Sequence, residues 1–187
     1  MSDNPWATQP VYRPPTVTKE RLKLSDAWAA LVTTAVLVLL GAPVGLLWGA
    51  LAPRVAVVKV AQGIDLQMPE TKAFVAADGS FLVIALLVGV ACGVAAALIG
   101  RRHAPGVAIG LAVGGVLAAL IAMKVGHRLG YESYAQLRDV AKVGTRGSAY
   151  LQLRAKGVLL AWPAAASLAL LTVTAGRRPA PAQPPVA

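Results

Sequence analysis

Asp, Glu, Lys and Arg are missing from four stretches of this chain, 27 to 53, 79 to 100, 103 to 123 and 157 to 176, each 20 or more residues long. Only 14% of the 187 residues are charged and 57% are hydrophobic, with a mean hydropathy of +0.64. That balance lies outside the soluble-domain mixture. Proton and ion movers generally keep an ionisable side chain within a span, because burying one in hydrocarbon is costly. Beyond Ser80 and His103 at their edges, the polar groups inside these runs are Thr33, Thr34, Cys92, Ser167, Thr172 and Thr174, which can bond their own helix carbonyls. A four-span exporter driven by a carboxylate in its first span is thereby disfavoured. A single cysteine, Cys92, permits no intrachain disulfide and supplies no metal-ligand spacing. Metalloprotease, P-loop and GxSxG motifs are missing as well. The expectation is a non-enzymatic chain with no catalytic residue, cofactor or metal.

What is present fits a bilayer. A hydrocarbon core needs about 20 apolar residues per helix, and helices satisfy their own backbone. Four membrane segments follow, near 27 to 51, 81 to 99, 105 to 123 and 158 to 175. The expected fold class is an all-α membrane protein, a four-helix transmembrane bundle. Two long loops, 52 to 80 and 124 to 157, form a small mixed α/β cap on one face. The membrane domain runs over 26 to 176, flanked by disordered proline-rich tails at 1 to 25 and 177 to 187. The first run reads as an uncleaved span, because it is too long for a signal h-region and Pro53 follows Ala50-Leu51-Ala52.

Trp28 and Trp48 stand twenty residues apart, about 30 Å along a helix, and read as interfacial anchors of one span, as do Trp162, Arg101 and Arg102. Ser25 is the expected cap of this first helix and Asp26 belongs to its first turn. Small residues recur at every fourth position: Gly41, Gly45, Gly49; Gly89, Gly93; Gly110, Gly114; Ala161, Ala165. Such stripes let helix backbones approach closely in lipid. Pro43 and Pro163 are expected to kink the first and fourth spans. Both halves run span, long loop, span, and Gly41-x-x-x-Gly45 can be laid on Gly110-x-x-x-Gly114, which hints at a parallel duplication.

The first loop alternates apolar and polar residues over 64 to 68 after a β-branched run at 55 to 60, a hairpin signal turning at Ala61-Gln62-Gly63. A short helix from Pro69 and Glu70 through Ala77 is expected next, with Asp78-Gly79 turning the chain into the second span. The second loop suggests an amphipathic helix over 132 to 143, ended by Gly144, and a strand over 148 to 153. Glu70 and Asp78 are the one carboxylate pair available for acid–base work, and loop capping is the plainer reading. His103 and His127 sit at span ends as interfacial side chains. Lys124 and Arg128, one turn apart, suit either a lipid phosphate or a snorkelling anchor.

Net charge is +10, and this excess is assigned to headgroup contacts, not to nucleic acid. Lys and Arg counts place eight on the side of the termini and ten on the other, so orientation is decided by Lys19, Arg21 and Lys23 ahead of the first span. Both termini are expected in the cytoplasm of a cell-membrane protein.

The segments Leu51-Ala52-Pro53-Arg54, Glu70, Phe74-Val75-Ala76-Ala77-Asp78-Gly79-Ser80-Phe81 and Leu160-Ala161-Trp162-Pro163 together resemble an uncharacterised family of actinobacterial four-span membrane proteins. The resemblance covers about 27 to 175. It implies the four-span fold and no activity. Some members are loosely labelled transporter permeases, but no coupling-helix pattern of the Glu-Ala-Ala type occurs here. The function expected is an accessory or scaffold subunit acting through helix packing and extracytoplasmic loops, alone with the lipid bilayer, as a homo-oligomer or in a larger membrane complex. The alternative is a transporter or channel component.

Overall fold

A computed structural model of the chain describes residues 23–66 and 71–177, so residues 1–22, 178–187 and Glu70 lie outside the described residues, while Leu24 and Ser25, expected in the N-terminal tail, already belong to the first helix. Four helices dominate: α1 (Leu24–Leu51), α2 (Thr71–Ile99), α3 (Ala104–Asp139) and α4 (Ala161–Ala175), the last preceded by a 3₁₀ segment, Lys156–Leu160. Each of the four is long and apolar enough to cross a membrane once that 3₁₀ segment is joined to α4. A three-stranded antiparallel sheet completes the fold, with β1 (Ala56–Val60) between β2 (Gly63–Leu66) and β3 (Arg146–Ser148).

Small residues dictate how the helices pair. In α1 and α3, a Cβ on Gly45 would lie 2.5 Å from the Ala122 carbonyl oxygen, and one on Gly110 would lie 2.7 Å from that of Ala30. Partner numbers rise together along the chain, from Asp26 beside Gly106 to Trp48 against Gly126, so α1 and α3 run parallel. The same holds for α2 and α4, where Gly89 meets the Trp162 carbonyl and Gly93 meets that of Ala166. Corresponding spans of the two halves therefore pack on each other. The pairs join along α3 and α4, where Gly115 seats Pro163.

Trp48, Phe81, Leu111 and Trp162 are the largest fully buried side chains, and no buried polar or charged residue occurs among the described residues. Trp48 stands edge-on to Phe81, ring centroids 5.1 Å apart at 84°, and its indole N–H donates to the Ala77 carbonyl at 3.1 Å. That bond satisfies the one polar atom of the ring where water is excluded.

Several expected boundaries change. Asp78-Gly79 does not turn the chain, because α2 is one helix from Thr71 onward. Asp78 gives its acceptor capacity to distant backbone amides instead of closing a local turn. The third span and the amphipathic helix are one continuous α3 of 36 residues, roughly 54 Å long at 1.5 Å per residue. At that length it exceeds the roughly 30 Å of a hydrocarbon core. Gly126 and Gly130 do not interrupt it, since each admits a neighbour, Trp48 and Tyr150 respectively. The helix closes at Asp139, and Gly144, at φ +92°, forms the turn that follows. Pro163 is the third residue of α4, a position whose N–H has no helical acceptor, so it costs that helix no hydrogen bond. Lys23, not Ser25, is the α1 N-cap, and its backbone N–H donates to Asp26 Oδ2 at 3.2 Å.

The cap gathers both long connections. The hairpin pairs Val60 with Gly63 across Ala61-Gln62, and Gly63 at φ +148° takes backbone that side chains rarely adopt. The strand of the second loop is displaced from the expected 148 to 153. It is β3, pairing Ala56 with Ser148, and the Ala149 N–H continues the ladder to the Val55 carbonyl at 2.8 Å.

Candidate functional site

Polar and aromatic side chains concentrate where α3 leaves the apolar bundle. His127, Tyr131 and Tyr134 repeat at four- and three-residue spacing along α3, which puts them on one face. Gly130 lies between them and lets the segment after β3 come close, with Tyr150 Cα 3.3 Å from the position a Cβ would take. Tyr150 consequently fills the centre of the group, its ring centroid 4.7 Å from His127, 4.9 Å from Tyr134 and 5.7 Å from Tyr131, all edge-to-face. His127 Nδ1 is 3.0 Å from the Leu151 carbonyl, so that nitrogen carries the proton and donates. Gln152 donates to the Tyr150 hydroxyl at 2.7 Å.

Asp78, on the opposite helix pair, fixes the same segment further along. Its two carboxylate oxygens accept from the backbone N–H groups of Arg154 at 3.1 Å and Ala155 at 2.9 Å. The Arg154 guanidinium lies 3.7 Å over the Phe74 ring. Asp78 thus acts as a structural clasp between α2 and the chain entering α4. Its expected partner Glu70 lies outside the described residues, so the carboxylate pair has no described geometry.

Two clefts flank this region. One, of about 490 Å³, lies between the projecting part of α3 and β3, with Arg54, Ser133, Gln136, Arg146 and Ser148 in its walls. The other, of about 460 Å³, is bounded by Lys124 and Arg128 on α3 and by Leu151 to Arg154. Both are basic and polar at the rim, which suits an anion or a polar partner surface. At the far end of α3, Lys59 Nζ donates to the Arg138 carbonyl, a cation placed at a helix C-terminus. The Arg138 guanidinium grips Asp139 at 2.7 and 3.0 Å, holding that carboxyl below its usual range.

On the face carrying the first turn of α1, His103 Nδ1 and Asp26 Oδ1 are 3.1 Å apart and tie the α2–α3 hairpin to α1. Among the described residues no group of three His, Cys, Asp or Glu is placed to hold a metal ion.

The packing residues named from sequence divide between the two pairs. Gly41, Gly45, Gly49, Gly110 and Gly114 line the α1–α3 seam, and Gly89, Gly93 and Ala165 line the α2–α4 seam. Ala161 is half-buried at the start of α4. The anchor assignments need correction at two positions. Trp28 is 66% exposed, but Trp48 and Trp162 are fully buried inside the bundle and do not face outward. Spacing carried that signal for Trp48, which falls three residues after Gly45 and seven after Gly41 on the face already committed to packing. Arg102 is exposed on the hairpin, and the Arg101 side chain lies outside the described part. The His127–tyrosine group was not anticipated, although its spacing on α3 is visible in the sequence.

No protein-family model, curated protein or solved structure matches the chain.

Proposed function

We propose that the chain crosses a cell membrane four times and works without catalysis, as a scaffold or accessory subunit whose cap presents the partner surface. One observation carries this reading. The bundle is closed by backbone-to-backbone contacts at glycine, and no charged or polar residue is buried within it among the described residues. A closed, apolar interior supports holding a shape better than passing a solute. Outward, Leu31, Leu39, Leu47, Leu87 and Leu171 are exposed along the helices, as lipid-facing side chains are. The resemblance to the actinobacterial four-span family agrees with this reading and supplies no activity.

Both termini are proposed to be cytoplasmic and the cap extracytoplasmic. With Cys92 replaced by Ser, a cysteine at exposed Gln62 is expected to react with an impermeant thiol reagent added outside cells, and one at exposed Arg102 only after lysis. The reverse pattern inverts the topology.

Affinity purification of the full chain in mild detergent tests the subunit proposal. A stoichiometric membrane partner or a defined homo-oligomer is expected. A monodisperse monomer with nothing bound defeats it, and an oligomer that conducts ions when reconstituted turns the assignment to a channel component.

A further inference from the structure

We infer that the cleft between α3 and the segment leading to α4 is a binding site for the phosphate of an anionic phospholipid headgroup, seated at the edge of the hydrocarbon. The inference rests on the membrane-spanning reading above and is independent of whether the chain has a protein partner.

Height is the first argument. Contacts across the α1–α3 seam fix which residues stand level: Gly45 meets Ala122, Trp48 meets Gly126 and Gly49 meets Leu129. Lys124 and Arg128 therefore stand beside the last two turns of α1, where Leu46, Leu47 and Leu51 are still exposed and apolar. Those leucines belong in acyl chains, so the two cations lie where hydrocarbon gives way to headgroups.

Composition of the cleft is the second. Lys124 and Arg128 are four residues apart on one helix face, and Arg154 approaches from the other wall. Met123, Leu151 and Leu153 supply an apolar side. An amphiphile with a phosphate and an acyl chain matches that pairing of surfaces, whereas a free anion uses only half of it. Lys124, Arg128 and Arg154 form no ion pair among the described residues, where the pairs are His103–Asp26 and Arg138–Asp139. Asp78, which grips the same wall, is bonded there to backbone amides.

Rigidity is the third. A snorkelling lysine on a lone helix needs no opposite wall. Here the wall is held in place by the His127 bond to the Leu151 carbonyl, by the Asp78 clasp and by Arg154 stacked on Phe74. These ties, between Leu151 and Ala155, fix the wall that carries Arg154 relative to α2 and α3. A fixed spacing suits one phosphate with bidentate arginine contacts.

Native mass spectrometry of the full chain in detergent tests the site, with dioleoyl phosphatidylglycerol, dioleoyl phosphatidylcholine and inorganic phosphate as probes. One saturable phosphatidylglycerol site is expected, preferred over phosphatidylcholine by roughly thirtyfold or more, as two or three surface cations provide. Lys124→Gln with Arg128→Gln is expected to abolish that preference. The charge-matched pair Lys142→Gln with Arg102→Gln, exposed and outside both clefts, is expected to leave it within about twofold. Equal losses in both double variants overturn the site in favour of general charge, and displacement of the lipid by inorganic phosphate overturns the lipid as its occupant. Thermal unfolding of each variant in the same detergent separates lost binding from lost fold; Arg128→Lys, which keeps the charge, is expected to retain at least half of the preference. Failure of the membrane reading itself appears differently, as protein recovered from cells without detergent.

Discussion

The α1–α3 seam and the cap connect the same parts of the chain by opposite means. Along the seam, glycine on one helix touches backbone on the other, at Gly41 and Gly45 against Ala118 and Ala122, and at Gly106 and Gly110 against Asp26 and Ala30. In the cap, single side chains reach single backbone groups: Asp78 to Arg154 and Ala155, His127 to Leu151, Lys59 to Arg138. A backbone contact has no rotamer with which to yield, while a hydrogen bond at the surface exchanges with water. Substitutions should therefore cost most in the seam and least at the cap surface, and an inverted order would break the comparison.

The largest effect is expected at Gly45. A Cβ there lies 2.5 Å from the Ala122 carbonyl oxygen and 2.8 Å from its Cα, so Gly45→Val must separate the helices. Overpacking of this kind costs about 3 kcal/mol. Reversible unfolding in mixed micelles measures it, and Gly45→Ala should cost nearly as much in an Ala122→Gly background, because the obstruction is backbone. Gly79 is the reference, with nothing within 4 Å of a Cβ in the middle of α2. Gly79→Ala should stabilise by about 0.5–1 kcal/mol through helix propensity alone.

The α2–α4 seam sharpens the contrast. Glycine there comes from α2 only, and a Cβ on Gly89 meets the Ala165 Cβ at 3.0 Å as well as the Trp162 carbonyl at 2.7 Å. Part of the obstruction is a removable methyl group. Gly89→Ala is expected to cost about 1–3 kcal/mol. With Ala165→Gly the pair should recover about 1 kcal/mol of favourable coupling in a double-mutant cycle. No coupling at all would mean that the two seams are equivalent.

How much of this was legible follows the same division. Charge-free runs of 20 or more residues mark helices because a bilayer needs that length, and β-branched residues ahead of Ala61-Gln62-Gly63 mark the hairpin because alternation and turn chemistry are local. Contacts between distant segments were not legible. Asp78-Gly79 carries a turn signature, but Arg154 and Ala155, more than seventy residues away, claim the carboxylate and the helix runs on. Gly126 and Gly130 look like breaks in α3 until Trp48 and Tyr150 fill the space beside them. Trp48 and Trp162 have the composition of interfacial anchors and the positions of core residues. Period outranks residue type there, because a face already bearing Gly41 and Gly45 is turned inward.

Asp78 marks the boundary between the two regimes, since one end of its contact is a helix of the bundle and the other is the cap. Asp78→Ala should cost about 1 kcal/mol, the worth of a side-chain acceptor for otherwise unpaired amides. Hydrogen exchange reads it locally. The amides of Arg154 and Ala155 should lose protection while those along the α1–α3 seam keep theirs.

The smallest effect belongs to Asp139, at the exposed end of α3. The hydrogen bond from Arg138 is the main cause that lowers its pKa below the ordinary 3.8, partly opposed by desolvation and aided by the charges of Arg138 and Lys59. A carboxyl whose folded value is depressed adds stability above its unfolded value and loses that contribution as pH falls through the folded one. The contribution of Asp139 should thus be complete at neutral pH, begin to fall near pH 3.8 and vanish once the pH passes below the depressed folded value. Both partners are more than half exposed, so salt screens the pair. Asp139→Asn should accordingly shift the unfolding midpoint only slightly at neutral pH and low salt, and not detectably in acid or at high salt. A shift rivalling that of Gly45→Ala would show that a surface ion pair at the end of one helix outweighs backbone contact between helices.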